Sequence, residues 1–221
     1  MENLIKPGLF GKNVPADAKR QDYDFDNEQM LYFKKDIDYL FIGDSITWHW
    51  NLSLYFDTKK TLVQRAIGGD NSTYLLKRFD ADCIQLKPKT AIIMIGTNDI
   101  ARCEDDLWWR TKGESEEVVF EEYTQNIRSM IKKCDESNIE VVLCSVIPST
   151  IAPPYNREMR WRMTDRMNEF LKSTGKKYIN YFDSLTYDGK NIIDEITHDG
   201  IHPNAKGYEI MTKILKKELD I

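Results

Sequence analysis

The chain has 221 residues, 30% of them charged, and a formal net charge of −5. This length suits a single domain with a buried core, and the acidic charge argues against nucleic-acid binding, which needs clustered Lys and Arg side chains. No apolar run in the sequence approaches the roughly 18 residues that span a bilayer, so a membrane protein is not expected either.

Residues 1–37 are expected to form a strap that packs on the main domain, and the main domain is expected to cover residues 38–221. Pro and Gly residues interrupt the first part of the strap, and a short helix is predicted over residues 27–35. Residues 1–12 lack the apolar core of a signal peptide, which favours a cytoplasmic protein.

Short apolar runs predict five strands, at residues 39–42, 61–67, 90–95, 139–146 and 177–182. Helical spacing lies between them, at residues 74–79, 118–134 and 160–171, and follows them at residues 205–219. Nearly continuous apolar runs are typical of parallel strands that helices cover on both faces. The alternation therefore predicts an α/β protein, a three-layer α/β/α sandwich around a central, mostly parallel five-stranded sheet.

Glycine and polar residues follow the first three predicted strands. Ser45 comes after the first strand, Gly68 and Gly69 after the second, and Asn98 after the third. Because ligands bind outside the carboxyl ends of parallel strands, we expect these residues to meet at one edge of the sheet.

Ser45 lies where a strand is predicted to end and a helix to begin. A nucleophile there would have its backbone N–H at a helix N-terminus, which favours a developing anion. The alternative is a serine that only caps the helix. The segment is not the G-x-S-x-G elbow of α/β-hydrolases, because Thr47 stands at the last position.

Asn98 can donate its amide to a substrate oxygen that becomes negative, and the Gly68-Gly69 pair lets a backbone N–H approach a ligand. Both segments also suit an ordinary turn, and the residues alone leave that alternative open. Asp99 is expected to be a helix cap or turn residue rather than a catalyst.

Asp199 and His202 form a D-x-x-H turn, which can fold the carboxylate onto the imidazole and prepare the ring to take a serine proton. His198 competes for the role of base but lacks the Pro203 and helix start that follow His202. For His49, an ordinary surface or core role is favoured over a place at the mouth of the pocket.

Together these segments resemble the SGNH, or GDSL-type, hydrolase family. Within residues 39–219 the family's four blocks match, in order, Gly43-Asp44-Ser45, Gly69, Gly96-Thr97-Asn98-Asp99 and Asp199-Gly200-Ile201-His202. The resemblance implies a flavodoxin-like sheet and ester hydrolysis through an acyl-serine. Ser45 would be the nucleophile, His202 the base and Asp199 its orienting carboxylate. Asn98 and the backbone N–H groups of Gly69 and Ser45 would form the oxyanion hole. No cofactor or metal is expected.

Two details depart from the family pattern. Ile46 stands where the family name has Leu, which should not touch the chemistry. The Gly68-Gly69 doublet leaves a one-residue ambiguity about which N–H faces the site, and the similarity favours Gly69.

The family does not fix the substrate, but tryptophans near the predicted site suggest one. The candidates are Trp48, Trp108, Trp109, Arg110 and Trp161, with Trp50 close by. Exposed Trp beside Arg and carboxylates suits a sugar ring better than a long acyl chain, although each Trp could equally pack between helices. We therefore expect small acyl esters, especially acetylated carbohydrates, with lipid or thioester hydrolysis as the alternative.

Two other classes of function compete. A metallophosphoesterase would use a metal set such as Asp44, Asp70, Asn98, Asp99, His198 and His202, but it usually has more histidines and an early D-x-H pair. A non-catalytic sugar-binding protein would not need all four catalytic blocks. The cysteines, Cys83, Cys103, Cys134 and Cys144, show no metal spacing and are expected to be free thiols. The sequence does not predict the oligomeric state.

Overall fold

The computed structural model describes residues 15–105, 112–150 and 156–221. Its centre is one five-stranded sheet, made of β1 (Tyr39–Gly43), β2 (Leu62–Ala66), β3 (Thr90–Met94), β4 (Glu140–Cys144) and β5 (Lys177–Ile179). The spatial order is β2-β1-β3-β4-β5, and every neighbouring pair is parallel. The predicted strands are confirmed, each within a few residues of its expected limits.

Helices connect the strands. They are α1 (Pro15–Tyr32), α2 (Ser45–Trp48), α3 (Leu52–Tyr55), α4 (Ser72–Asp82), α5 (Thr97–Ala101), α6 (Glu116–Glu136), α7 (Arg157–Ser173), α8 (Phe182–Leu185) and α9 (Ala205–Glu218). The four longest helices after β1 match the predicted ones. A helix start was predicted at Ser45, where α2 begins. The other one-turn helices were not predicted, because four or five residues are too few to show an apolar period.

Helix α1 differs from the prediction. It begins at Pro15, well before the expected start at residue 27, and it ends at Tyr32. Its first half is mostly polar and charged, so it has little apolar periodicity to read. Proline does not interrupt a helix at its first position, because the missing N–H would have no partner there.

Both faces of the sheet are covered, as the continuous apolar strands predicted. On one face, Leu40 and Ile93 pack in a core shared with α4, α6 and α7. On the other face, Phe41 and Ile92 pack in a second core with α9, which contributes Met211 and Leu215 among others. Successive strand residues point to opposite faces, so each strand supplies both cores. This is the predicted three-layer α/β/α sandwich.

Helix α1 contacts α4 and the end of β2 through buried polar groups. The Tyr23 hydroxyl donates to the carbonyl of Ala66 at 2.6 Å. The Asn27 amide donates to the carbonyl of Ala81 and to Asp82 at 3.1 Å each. Helix α1 is therefore anchored by directed hydrogen bonds as well as by apolar packing.

Two smaller expectations can be compared with the structure. Within residues 15–105, 112–150 and 156–221, no helix has the length and apolar character needed to cross a membrane. The four cysteines are free thiols, as predicted.

Candidate functional site

Three strands of the sheet end level with one another. Gly43, the last residue of β1, pairs with Ala66 at the end of β2 and with Met94 at the end of β3. The loops that follow these residues carry Ser45, the Gly68-Gly69 pair and Asn98. The topology therefore places these segments side by side, as the sequence predicted.

Ser45, His202 and Asp199 form a continuous hydrogen-bonded chain. Ser45 Oγ lies 2.8 Å from His202 Nε2. His202 Nδ1 lies 2.6 Å from Asp199 Oδ2. A carboxylate can only accept at that contact, so Nδ1 carries the proton and Nε2 is left to accept from the serine hydroxyl. The arrangement can transfer a proton from the serine to the imidazole.

The turn from Asp199 to His202 is held by its own backbone. Asp199 Oδ1 accepts from the N–H groups of Ile201 and His202, at 2.9 and 2.8 Å. Gly200 has φ +82°, and a Cβ there would overlap the carbonyl oxygen of Thr150. The Thr150 N–H in turn donates to the Gly200 carbonyl at 2.7 Å. Only glycine fits this close approach, and the approach fixes both functional side chains.

The hydrogen bonds of this turn also set the charge of Asp199. Partial burial opposes ionisation, but the backbone and imidazole N–H groups of His202, together with the N–H of Ile201, outweigh it and lower the pKa of Asp199 to about 2. The carboxylate is therefore ionised at neutral pH, where it can stabilise an imidazolium.

Ser45 is the first residue of α2 and does not cap it. Asp44 is the cap, because its Oδ1 accepts from the Ile46 N–H at 2.9 Å. The alternative in which Ser45 is merely an N-cap is therefore wrong. The far side of α2 is tied to α9, where the Tyr208 hydroxyl donates to the carbonyl of Ile46 at 2.8 Å.

The Asn98 amide is anchored by one of its two hydrogens. Its Nδ2 donates to the carbonyl of Asp70 at 2.8 Å, which holds the amide next to the loop after β2. In that loop Gly69 has φ +82°, a conformation that favours glycine. Asp99 is not the helix cap or turn residue that was expected, because it lies within α5, whose N-cap is Gly96. Its carboxylate accepts from the N–H and hydroxyl of Ser72 at the start of α4.

Carboxyl groups are also buried around these loops. Burial raises the pKa of Asp44 to about 7, and the nearby charges of Asp70 and Asp99 add to the rise, whereas the hydrogen bond from Ile46 opposes it. Burial likewise raises the pKa of Asp99 to about 6, against the hydrogen bonds from Ser72. These two carboxyl groups are buried in the core, next to the loops that carry Ser45 and Asn98.

One buried charged residue close to these carboxyl groups, Arg78, was not predicted from the sequence. Arg78 is buried on α4 and donates to Asp70 at 2.6 Å. The signal was present, because Arg78 and Asp82 share the apolar stripe of the helix with Leu75 and Phe79, at i, i+3, i+4 and i+7 spacing. Charges on such a stripe indicate a buried polar network rather than a solvated face.

A cleft of about 430 Å³ lies beside the imidazole of His202. Its lining includes His49, Asn51, Tyr55 and His198. His49 stands edge-on to His202, with ring centroids 5.3 Å apart. His49 thus lies next to the site, although an ordinary role was favoured, and His198 lines the cleft without joining the Ser45–Asp199 chain.

The predicted tryptophans divide into different groups. Trp48 is 46% exposed and its ring lies 5.0 Å from that of His49, so it borders the site. Trp50 is buried and stacks on Tyr208, so it belongs to the core instead. Trp161 is half-buried on α7, beneath the ammonium of Lys190 at 4.9 Å. Trp108, Trp109 and Arg110 lie outside the described residues.

The metal set considered above is not assembled. In the described part of the chain, no group of three or more His, Cys, Asp or Glu side chains is arranged to hold a metal ion. Asp44 caps α2, Asp70 pairs with Arg78, and Asp99 bonds Ser72.

Comparison with known proteins agrees with this geometry. The model of the GDSL-like lipase/acylhydrolase family matches residues 41–210, and the chain belongs to that family. It is thus a carboxylic ester hydrolase of the α/β class. A serine nucleophile is typical of this family.

The sequence identities to individual relatives are low. A GDSL-like lipase from Bacteroides thetaiotaomicron has a similar structure, with 28% identity and a TM-score of 0.74 over 94% of this chain and 98% of that one. An acetylxylan esterase from Geobacillus stearothermophilus is 25% identical over 167 residues, 72% of this chain and 71% of the relative. A crystal structure of an acetylxylan esterase from the same organism has a TM-score of 0.60 at 19% identity, over 82% and 93% of the two chains, and shares the fold.

Proposed function

We propose that this chain is a serine esterase that hydrolyses acetyl esters of carbohydrates through an acyl-serine intermediate. The observation that carries the proposal is the Ser45–His202–Asp199 chain, with contacts of 2.8 and 2.6 Å. Those distances are within hydrogen-bond reach, which a nucleophile and its base require.

In the first half of the reaction, His202 Nε2 takes the hydroxyl proton as Ser45 Oγ attacks the ester carbonyl carbon. The carbonyl oxygen becomes an oxyanion, and the imidazolium is stabilised by the Asp199 carboxylate. The imidazolium then gives its proton to the alcohol oxygen, the carbon–oxygen bond breaks, and the alcohol leaves. Water repeats the sequence on the acyl-serine, which releases the acid and restores the hydroxyl.

The oxyanion would be held by the side-chain amide of Asn98 and the backbone N–H groups of Gly69 and Ser45. The bond from Asn98 to Asp70 supports this assignment, because it uses one amide hydrogen and leaves the other for the substrate. Donors fixed before the reaction cost no reorganisation, and loss of one typically slows an enzyme by about 100- to 1,000-fold.

The carbohydrate part of the proposal rests on the cleft beside His202. Since this imidazole protonates the departing alcohol, the alcohol portion of the ester must lie on that side of Ser45. The cleft there offers imidazole, amide and phenol groups from His49, Asn51 and Tyr55, which suit a molecule with many hydroxyls. The similarity to an acetylxylan esterase points in the same direction.

The test combines two variants with a substrate series. Ser45→Ala and His202→Ala should each abolish p-nitrophenyl acetate turnover, by a factor of roughly 10⁴ or more, because nucleophile and base act as a unit. Ser184→Ala, which changes an exposed serine on α8, is the matched control and should keep full activity. Wild-type turnover by Ser45→Ala would contradict the serine mechanism.

The substrate series compares acetyl, butyryl and octanoyl p-nitrophenyl esters with acetylated oligosaccharides. Release of acetate from the oligosaccharides, and a steep fall in kcat/KM with acyl length, are the expected results. Preference for the octanoyl ester would leave the mechanism intact but replace the carbohydrate acetate by a lipid substrate.

A further inference from the structure

A buried guanidinium joins the strand ends that carry the site. Arg78 is 1% exposed. Its Nε donates to Asp70 at 2.6 Å, and its Nη2 donates to the carbonyl of Gly43 at 3.0 Å. Its Nη1 donates to the carbonyl of Arg65 at 2.7 Å and to Asp82 at 3.1 Å. One side chain thus bonds the ends of β1 and β2 and the loop that follows β2.

Each of the first two contacts lies close in the chain to a residue of the proposed mechanism. Gly43 precedes the nucleophile Ser45 by two positions. Asp70 directly follows the glycine of the oxyanion loop, and its carbonyl accepts from Asn98. Through these two contacts, Arg78 bonds both the segment that carries Ser45 and the loop that carries Gly69.

Burying the charge of Arg78 costs free energy, which indicates that this residue has a role other than stabilising the fold. Arg78 occupies the apolar stripe of α4 between Leu75 and Phe79, where an apolar side chain would pack without desolvating a charge. Its charge is balanced by Asp70 and Asp82, and buried ion pairs of this kind add little net stability compared with apolar packing.

We propose that Arg78 is a positioning residue for the hydrolysis reaction, which rests on the function proposed above. By bonding Gly43 and Asp70 at once, it keeps Ser45 Oγ at the distance from the oxyanion donors that the tetrahedral intermediate needs. A misplacement of about 1 Å can slow a reaction by about 100-fold. Lysine cannot substitute, because it lacks the planar fork that reaches separate acceptors.

The test uses Arg78→Lys and Arg78→Met, with Arg65→Met as the matched control. Arg65 is also buried, but its side chain bonds Asn27 and the carbonyl of Gln64 rather than the loops of the site. Active serines are counted by labelling each protein to completion with a p-nitrophenyl phosphonate. The values of kcat and KM for p-nitrophenyl acetate are then measured, and kcat is calculated per labelled site.

Both Arg78 variants should lose roughly 10- to 100-fold in kcat per labelled serine, with KM changed by less than about threefold. Arg65→Met should lower Tm while keeping kcat per labelled serine. Wild-type kcat per labelled serine in Arg78→Lys would overturn the proposal, as would an equal loss in Arg65→Met. Failure of the wild-type protein to label would instead contradict the serine mechanism itself.

If the Arg78 variants do not fold, Asp70→Asn decides the matter. The substitution keeps the shape and an acceptor oxygen, but it removes the charge from the bond to Arg78 and weakens it. We expect kcat per labelled serine to fall by at least about fivefold, while Asp82 still balances the charge of Arg78. Unchanged kcat in this variant would overturn the positioning role.

Discussion

Asp44 should make the fold less stable as the pH rises. Burial raises its pKa from 3.8 to about 7, helped by the charges of Asp70 and Asp99. A carboxyl whose pKa is higher in the folded state holds its proton more tightly there. The resulting stabilisation is complete below the unfolded pKa and is lost as the pH rises through the folded pKa. For Asp44 this window runs from about pH 4 to pH 7.

The size of the effect follows from the difference between the pKa of Asp44 in the folded and unfolded states. A difference of about three pH units, at about 1.4 kcal/mol for each unit, gives ~4 kcal/mol. That is a large part of the total free energy of unfolding of a typical domain, about 5–15 kcal/mol. The effect should therefore be visible in an ordinary denaturation experiment.

Asp44→Asn removes the titration but keeps an oxygen that can accept from the Ile46 N–H. Urea unfolding at several pH values between 4 and 8 would give the free energy of unfolding of both proteins. We expect the variant to gain ~4 kcal/mol over the wild type as the pH rises across this range. Asp57→Asn, at an exposed position, is the control and should follow the wild type. Parallel curves for Asp44→Asn and the wild type would refute this account.

Two further predictions concern the turn that carries Asp199 and His202. Asp199→Asn should lower kcat by about 10³- to 10⁴-fold, because Asn Oδ1 can keep the two backbone bonds while its NH₂ faces the imidazole and selects the wrong tautomer. Steady-state kinetics measure this loss, and Asp188→Asn, in another turn, is the control. Gly200→Ala should lower the free energy of unfolding by several times the ~1–2 kcal/mol expected for Gly189→Ala. Both glycines have positive φ, but only a Cβ on residue 200 would overlap a backbone carbonyl. Thermal unfolding of the two variants measures the difference.

Much of the fold could be predicted because the strands are buried on both faces. The run from Thr90 to Met94 is buried at every position, so its apolar character is continuous and easy to recognise. Helix α1 is the opposite case. Arg20, Tyr23 and Asn27 hold this helix on the domain by bonding to α4 and β2. Such polar contacts leave no apolar period in the sequence from which the helix could be predicted.

The site was partly predictable for a different reason. The strand ends alone place Ser45 and Asn98 at one edge of the sheet, since the carboxyl ends of parallel strands face the same way. The path that returns His202 to Ser45 depends on how α9 packs, including the bond from Tyr208 to Ile46. Local spacing contains no information on that packing. The chemistry of the D-x-x-H turn and the family resemblance linked the two residues beforehand.

The strand order has a consequence for how such a protein can diverge. The proposed nucleophile and oxyanion donors follow β1, β2 and β3, whereas β4 lies on the far side of β3. The connection from β4 to α7 is separate from those three loops, but the Thr150 N–H within it donates to the Gly200 carbonyl in the turn that carries His202. A change in this connection is therefore expected to act on the proposed base rather than on the proposed nucleophile or oxyanion donors.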